Sequence, residues 1–502
     1  MTQVREDQVI QTLENHILDI DIPHPDQVLI AGQWRTPAVA ETIDVIDPTT
    51  EQVLIQVARP GIAEADAAVA AARRAFDHGP WPRMSVQDRV DAVRRFTDLL
   101  EGRFGDLNRA WTFESGPTLA HSAVINNGAA AITWRTVLDL APGLPWEETR
   151  GDAIIRREPT GTVLAILTNN GPTVLMGMKV IPALLAGCPV VVKHAPESQL
   201  SAHIIAAAAR AAELPEGVLS FLPAEVDVTQ YLVSHPGIDM VTVTGSQAIA
   251  RDIVSRTAGR LARTALELGG KSPAILAEDV DLATVVPGLA EGAQAFNGQV
   301  CVALSRILVP RSRYAETADA FVAYLGGLVV GDPFDPLTHR GPLSVHRALG
   351  RVEGYVAGAL KDGARVACGG RRPPHLKRGY FYEPTILVDV TPEMTIAREE
   401  VFGPVTVLIP YDGIDNAVEI ANDTEYGLAA SVFSQDSEFA IDVARRIRAG
   451  SVGVNIAGMS LAQPFGGVKK SGWGRECGPE GVFEFTDVKQ MLLSTGTSYL
   501  DA

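Results

Sequence analysis

Cysteine is scarce in this 502-residue chain: four residues, Cys188, Cys301, Cys368 and Cys477, far apart and with no CxxC pair. That spacing excludes a disulfide framework and a cysteine zinc site, so no metal is expected, and it predicts free thiols in a reducing, cytoplasmic compartment. No stretch reaches the roughly 18 consecutive apolar residues of a membrane-spanning helix. The N-terminal MTQVREDQVIQTLENHILDI carries polar residues throughout instead of an unbroken apolar signal core. A net charge of −17, spread along the sequence rather than gathered in a tail, argues against a nucleic-acid or anionic-membrane partner. There is no internal repeat and no low-complexity block. The dinucleotide fingerprint GxGxxG follows none of the predicted strands.

What is there begins with size. At roughly 100 to 200 residues per domain the length predicts two to four structural units, and 46% hydrophobic content supports a sizeable core. Residues 63–76, AEADAAVAAARRAF, and the following VQDRVDAVRRFTDLLEGRFGDLNRAWTFES predict amphipathic helices. From residue 161 the pattern changes. GTVLAIL is a short apolar run, VLMGMKVIPALLAG a helix ending at Gly187, and CPVVVK a second apolar run, which together predict a βαβ unit. A helix over 201–213, the run GVLSFLP, a helix near 226–234 and the run IDMVTVTGS extend it to a mostly parallel sheet with helices on both faces. Such sheets bind ligands beyond the carboxyl ends of their strands.

Three stretches hold chemistry-bearing residues in unusual settings. GSQAIA, 245–250, puts Gly245 at a strand-to-helix turn. TALELGGKSPAILAED, 264–279, places Glu267 in an apolar strand before a Gly-Gly turn, where a carboxylate is costly unless paired, hydrated or functional. FNGQVCVALSR, 296–306, flanks Cys301 with Val300 and Val302, as in either a packed core thiol or a nucleophile. Local sequence alone also fits a backbone-bonded Glu267, and an Asn170 in TNNGP that is an ordinary turn residue.

Taken in order, LIAGQW, VIDPTTEQVL, TNNGP, VVVKHAPES, VTGS, ELGGKSP, GQVC, EEVFGPV, ANDTEYGLAASVFS, GSVGVN and PFGGVKKSGWGRE resemble the aldehyde dehydrogenase superfamily, from about Val28 to about Thr495. The resemblance implies an α/β fold. It has a Rossmann-type parallel-sheet cofactor domain (1–138 and 160–266), an α/β catalytic domain (267–470) and a small bridging, oligomerising element (139–159 and 471–502). It also implies oxidation of an aldehyde to an acid with NAD, NADP being left open. Cys301 is then the nucleophile, Asn170 an oxyanion donor with the Cys301 backbone N–H, and Glu267 the general base. Lys179 is a candidate to polarise the thiol, and Glu476 a proton relay or a surface ion pair. Lys193, Gly245, Ser246, Leu268, Glu400 and Phe402 would hold the cofactor. Leu175, Met178, Phe296, Met459, Leu461 and Phe465 would line the aldehyde pocket. The valines beside Cys301 are read as strand-like surroundings.

The departures bear on specificity. Asn169 stands for the Trp of the family's PWN and Gly171 for the Phe after it. Val243 replaces the Phe of FTGS, Ala250 stands where a second glycine is common, and Pro196 replaces the glutamate of KPxE, with Glu197 one residue on. An apolar pocket without arginine implies an uncharged aliphatic or aromatic aldehyde. GDAIIRREP, 151–159, and VFEFTDVKQMLLSTG alternate like edge strands that need a partner, so a homodimer or homotetramer is expected. Two other readings remain open: a coenzyme A-acylating enzyme, and a non-catalytic structural or binding member of the fold.

Overall fold

The computed structural model describes residues 20–493. The polar N-terminal stretch, apart from Ile20, and the STG that ends the C-terminal strand segment lie outside the described residues.

Five parallel strands form the centre of an eight-stranded sheet: Arg263–Glu267, Met240–Thr244, Val163–Ile166, Val190–His194 and Leu219–Pro223, in that spatial order. Gly472–Trp473 adds antiparallel at one edge; Val28–Ile30, then Gln33–Arg35, add antiparallel at the other. The inner strands read as near-continuous apolar runs because both faces are covered. Alternate residues feed opposite cores. Val163, Ala165, Val190 and Val192 join one apolar cluster. Leu164, Ile166 and Val191 join the other, with Ala65, Ala68, Val69 and Ala72 of the helix Ile62–Asp77. Each such valine or leucine, fully buried, contributes roughly 1.5–3 kcal/mol over leaving it in water.

The helical segment after residue 85 is two helices, Val86–Glu101 and Phe104–Ser115. Ser85 Oγ caps the first by accepting from the Asp88 amide at 3.1 Å. The second stops at Gly116, whose φ of +85° is the left-handed conformation glycine adopts freely. The helix ending at Gly187 is present as well, but it passes through a π turn over Met176–Val180 just ahead of Pro182, which has no amide to donate.

A second sheet of seven strands runs Arg365–Cys368, Thr385–Val388, Val405–Tyr411, Arg306–Pro310, Pro273–Leu276, Ala429–Phe433, Ser451–Val454, parallel except at its first strand. A three-stranded antiparallel sheet joins Thr486–Leu492, Ala153–Pro159 and Glu147–Arg150. The second of the two expected edge strands is shorter than its alternation suggests: Val482 and Phe483 close the helix Gly478–Phe483, because Pro479 in the first turn starts a helix there. The segment after residue 470 thus divides between the eight-stranded sheet and the three-stranded one. Among the described residues no helix is long and apolar enough to cross a membrane.

Candidate active site

The carboxyl ends of the central strands and the turn carrying Cys301 come together. Glu267 is the last residue of its strand, in register with Thr244 on one side and Gly472 on the other. Its backbone carbonyl accepts from the Gly245 amide at 3.0 Å. Its carboxyl is buried, and no side chain hydrogen-bonds either oxygen; the Gly467 amide is a backbone donor beside it. Burial first, then the nearby Glu476 charge, push its pKa well above the usual carboxylate range, against the pull of Lys179, Arg475 and the Gly467 amide. A Cβ at Gly466 would lie 2.7 Å from Glu267 Oε1, so glycine there lets the backbone run directly past the carboxyl.

Lys179, fully enclosed, donates from Nζ to Glu476 Oε1. Glu476 is itself buried, so it is not a surface ion pair, and its Oε2 has no partner.

Cys301 sits on a turn, not in a strand; the strand begins only at Arg306. The reason lies just upstream, where Phe296, Asn297 and Gly298 take φ of +47°, +54° and +68°, three successive left-handed residues that no strand accommodates. Asn297 Nδ2 holds this bend by donating to the Gly341 and Pro342 carbonyls at 2.8 and 2.9 Å. Gln299 Oε1 accepts from the Ser344 amide and hydroxyl at 3.1 and 2.8 Å. The thiol is pushed up to about 12 by burial, then by Glu400, Glu267 and Glu476.

Asn170 follows the strand Val163–Ile166. Its Nδ2 donates to the Gln299 carbonyl at 3.2 Å, and its Oδ1 accepts from Thr168 Oγ1 at 2.6 Å, so the amide nitrogen lies against the turn that carries Cys301. Between Cys301 and Glu400 runs the Gly269–Gly270 turn. Glu400 Oε1 accepts from the Gly270 amide at 3.0 Å, and a Cβ on Gly269 would meet Glu400 while one on Gly270 would meet the Cys301 carbonyl. Burial raises Glu400 to about 7, opposed by the Gly270 amide, Lys271 and Arg351.

At the other strand ends, Lys193 is half-buried, and burial lowers its ammonium to about 8. Gly245 and Ser246 open the helix Gln247–Ala258, where Ser246 Oγ accepts from the Ile249 amide at 3.3 Å. On either side of this turn Thr244 Oγ1 and Gln247 Nε2 are buried without partners. Unpaired polar groups at a helix N-terminus fit a phosphate-bearing dinucleotide. The Leu268 amide donates to the Ser471 carbonyl at 3.0 Å. Phe402 has a φ of +52°, and its backbone is held by Arg351, which donates to the carbonyls of Val401 and Phe402 at 2.8 and 3.2 Å.

Leu175, Met178 and Phe465 belong to the same apolar cluster against which Met459, Leu461, Val174, Val302 and Cys301 pack. Phe296 is buried with its ring on Trp111, 5.1 Å between centroids, and on His121 at 6.4 Å.

Sequence reasoning missed several participants. Arg475 and Lys271 lie inside family-like motifs, GWGRE and ELGGKSP, but nothing local sets them apart there. Lys271 is buried with an unpartnered Nζ, and burial lowers it to about 7. Arg347, which pairs with Glu197 beside Lys193, and Trp111 gave no local signal.

A half-buried thiol, a buried carboxyl of raised pKa with no side-chain partner, an amide donor aimed at the thiol's turn, and a dinucleotide-compatible helix start suit covalent catalysis with a water-activating base. A model of the aldehyde dehydrogenase family matches residues 34–491. The chain is 38% identical over 481 residues to geranial dehydrogenase of Castellaniella defragrans, spanning 95% of this chain and 100% of that one. An aldehyde dehydrogenase of Mycobacterium tuberculosis, solved with NAD+, superposes with a TM-score of 0.92 at 42% identity, covering 94% of this chain and 99% of that one. A cysteine variant of aldehyde dehydrogenase C from Pseudomonas syringae, solved with NAD+ and octanal, gives 0.91 at 38% identity, covering 94% and 98%. Fold, site and relatives agree: the chain belongs to the aldehyde dehydrogenase family.

Proposed function

We propose that the chain oxidises uncharged aliphatic or aromatic aldehydes to carboxylic acids with NAD. The thiolate of Cys301 adds to the aldehyde carbon, and the oxyanion so formed is stabilised by Asn170 Nδ2 and the Cys301 amide. A bound NAD would supply the hydride acceptor for this adduct. Lys193, Gly245, Ser246, Leu268, Glu400 and Phe402 are the residues to hold it. The resulting thioester on Cys301 is attacked by water. Glu267 takes the water's proton, the acid departs and the thiol is restored. Lys179 and Glu476 lie next to Glu267 and can carry that proton onward.

The observation that carries this reading is Glu267: a buried carboxyl with no side-chain hydrogen bond, whose charge acts on the Cys301 thiol. A structural glutamate would have its oxygens bonded. An enzyme that passes its thioester to coenzyme A needs no such base, and a non-catalytic relative needs neither group. The apolar cluster around Cys301 supports an uncharged substrate, as do the geranial and octanal named for two relatives.

The cofactor unit is proposed as 1–138 with 160–266, the catalytic unit as 267–470, and the bridging element as 139–159 with 471–502. The exposed side chains of Val488 and Leu492 on the Thr486–Leu492 strand support a dimer or tetramer built on the three-stranded sheet. Four free cysteines support a cytoplasmic location. The deciding experiment is an aldehyde panel with NAD and with NADP, lacking coenzyme A. Steady NADH formation with octanal-like or aromatic aldehydes is expected. Turnover that requires coenzyme A, or none at all, overturns the reading.

A further inference from the structure

We propose that Trp111 is a positioning residue for the oxyanion donor Asn170; this rests on the role proposed above for Asn170. Trp111 lies near the end of the helix Phe104–Ser115 and is 1% exposed. An indole N–H can only donate, and a buried one needs an acceptor. Its acceptor is the backbone carbonyl of Asn169, at 2.8 Å. Ser115, one helical turn on and therefore on the same face, directs its hydroxyl to that carbonyl at 3.4 Å. The residue so anchored is the one immediately before Asn170, at the position where this chain has no tryptophan of its own in the loop.

The same indole reaches the other half of the site. Its ring packs on Phe296 at 5.1 Å, and Phe296 opens the left-handed bend that leads to Cys301. The two halves then meet directly, Asn170 Nδ2 on the Gln299 carbonyl. One rigid side chain thus fixes both the loop that supplies the donor and the turn that supplies the sulfur. Its loss matters because an oxyanion contact depends steeply on where its donor stands. Replacing the indole by a phenyl ring keeps an aromatic face toward Phe296 and removes the bond to the Asn169 carbonyl, so that change is read through Asn170.

The test is a double-mutant cycle read on the pre-steady-state NADH burst. Trp111→Phe keeps most of the ring and removes the N–H. It is expected to slow the burst about 10-fold, with NAD affinity by fluorescence titration and the thermal midpoint little changed. Ser115→Ala should give a smaller loss in the same direction. In an Asn170→Ala background, Trp111→Phe should cost nothing further. A wild-type burst rate in Trp111→Phe, or losses that multiply in the double variant, overturns the positioning role while leaving Asn170 as the donor. A wild-type burst in Asn170→Ala removes the donor and this proposal together. Should Trp111→Phe fold poorly, the cycle between Ser115→Ala and Asn170→Ala decides the matter in its place: a loss that vanishes in the double variant supports positioning, and losses that multiply overturn it.

Discussion

Lys179 Nζ bonds Glu476 Oε1 within the enclosed site, so the Lys179 ammonium beside Glu267 is already committed to another carboxylate. Two consequences follow from this pairing. Glu476 raises the Glu267 pKa, second only to burial. And the same Glu476, with Glu400 and Glu267, raises the Cys301 thiol.

Glu267→Gln should form the thioester but hydrolyse it slowly. A burst of about one NADH per active site followed by a much slower steady phase is expected in stopped-flow absorbance. Burst and steady rate falling together would place Glu267 before the thioester.

Because the base must be ionised and its pKa is raised, kcat should climb with pH over a range well above that of an ordinary carboxylate. Glu476→Gln removes a neighbouring negative charge and frees the Lys179 ammonium, both of which favour the Glu267 carboxylate. The midpoint of the kcat profile should move to lower pH. An unmoved midpoint means that another group controls the limb.

With its thiol near 12, Cys301 in the apoenzyme should be a slow nucleophile at neutral pH. Iodoacetamide labelling of the Cys301 peptide, followed by mass spectrometry, should keep accelerating beyond the ordinary value of 9.0. A plateau below that value would show a thiolate already activated without cofactor.

Pro196 can neither accept from ribose hydroxyls nor repel a 2′-phosphate, and Glu197 is tied to Arg347. A modest preference for NAD is expected. Pro196→Glu should lower kcat/KM for NADP far more than for NAD. A wild-type enzyme strongly favouring NADP would contradict this assignment.

Lys271 carries a buried, unpartnered amine whose pKa is lowered from 10.5 to about 7. Between those values the unfolded chain holds the extra proton, so wild-type stability rises with pH across that window and the penalty is complete below it. Lys271→Met should raise the melting temperature, most at neutral or lower pH and progressively less toward the upper end. A variant that melts earlier at every pH would show the amine to be paired in solution.

The parallel sheet was legible because its strands are buried on both faces and read as apolar runs between Gly-ended helices, Gly187 being the clearest. The Cys301 turn was not legible as a turn: the Val300–Cys301–Val302 triplet has strand composition, whereas its shape is set by the left-handed bend at 296–298 and by carbonyls some forty residues away. Motif resemblance named Glu267 and Glu476, but not that Glu476 is buried on Lys179, since that pair joins segments 297 residues apart. Trp111 escaped notice for the same reason. A helical tryptophan reads as core, and only the fold reveals that its N–H is spoken for by a loop.

The strand that ends in Glu267 is flanked by Gly472–Trp473, and the same stretch of chain continues into the strand Thr486–Leu492 that pairs with Ala153–Pro159. The segment 472–492 is therefore a strap drawn past the proposed base and tied to the outer sheet. Clipping it beyond Glu476 would delete no reacting group, yet it would untie the segment that holds the base in register. The proposed chemistry thus leans on a stretch beyond Glu476 that carries none of its proposed reacting groups.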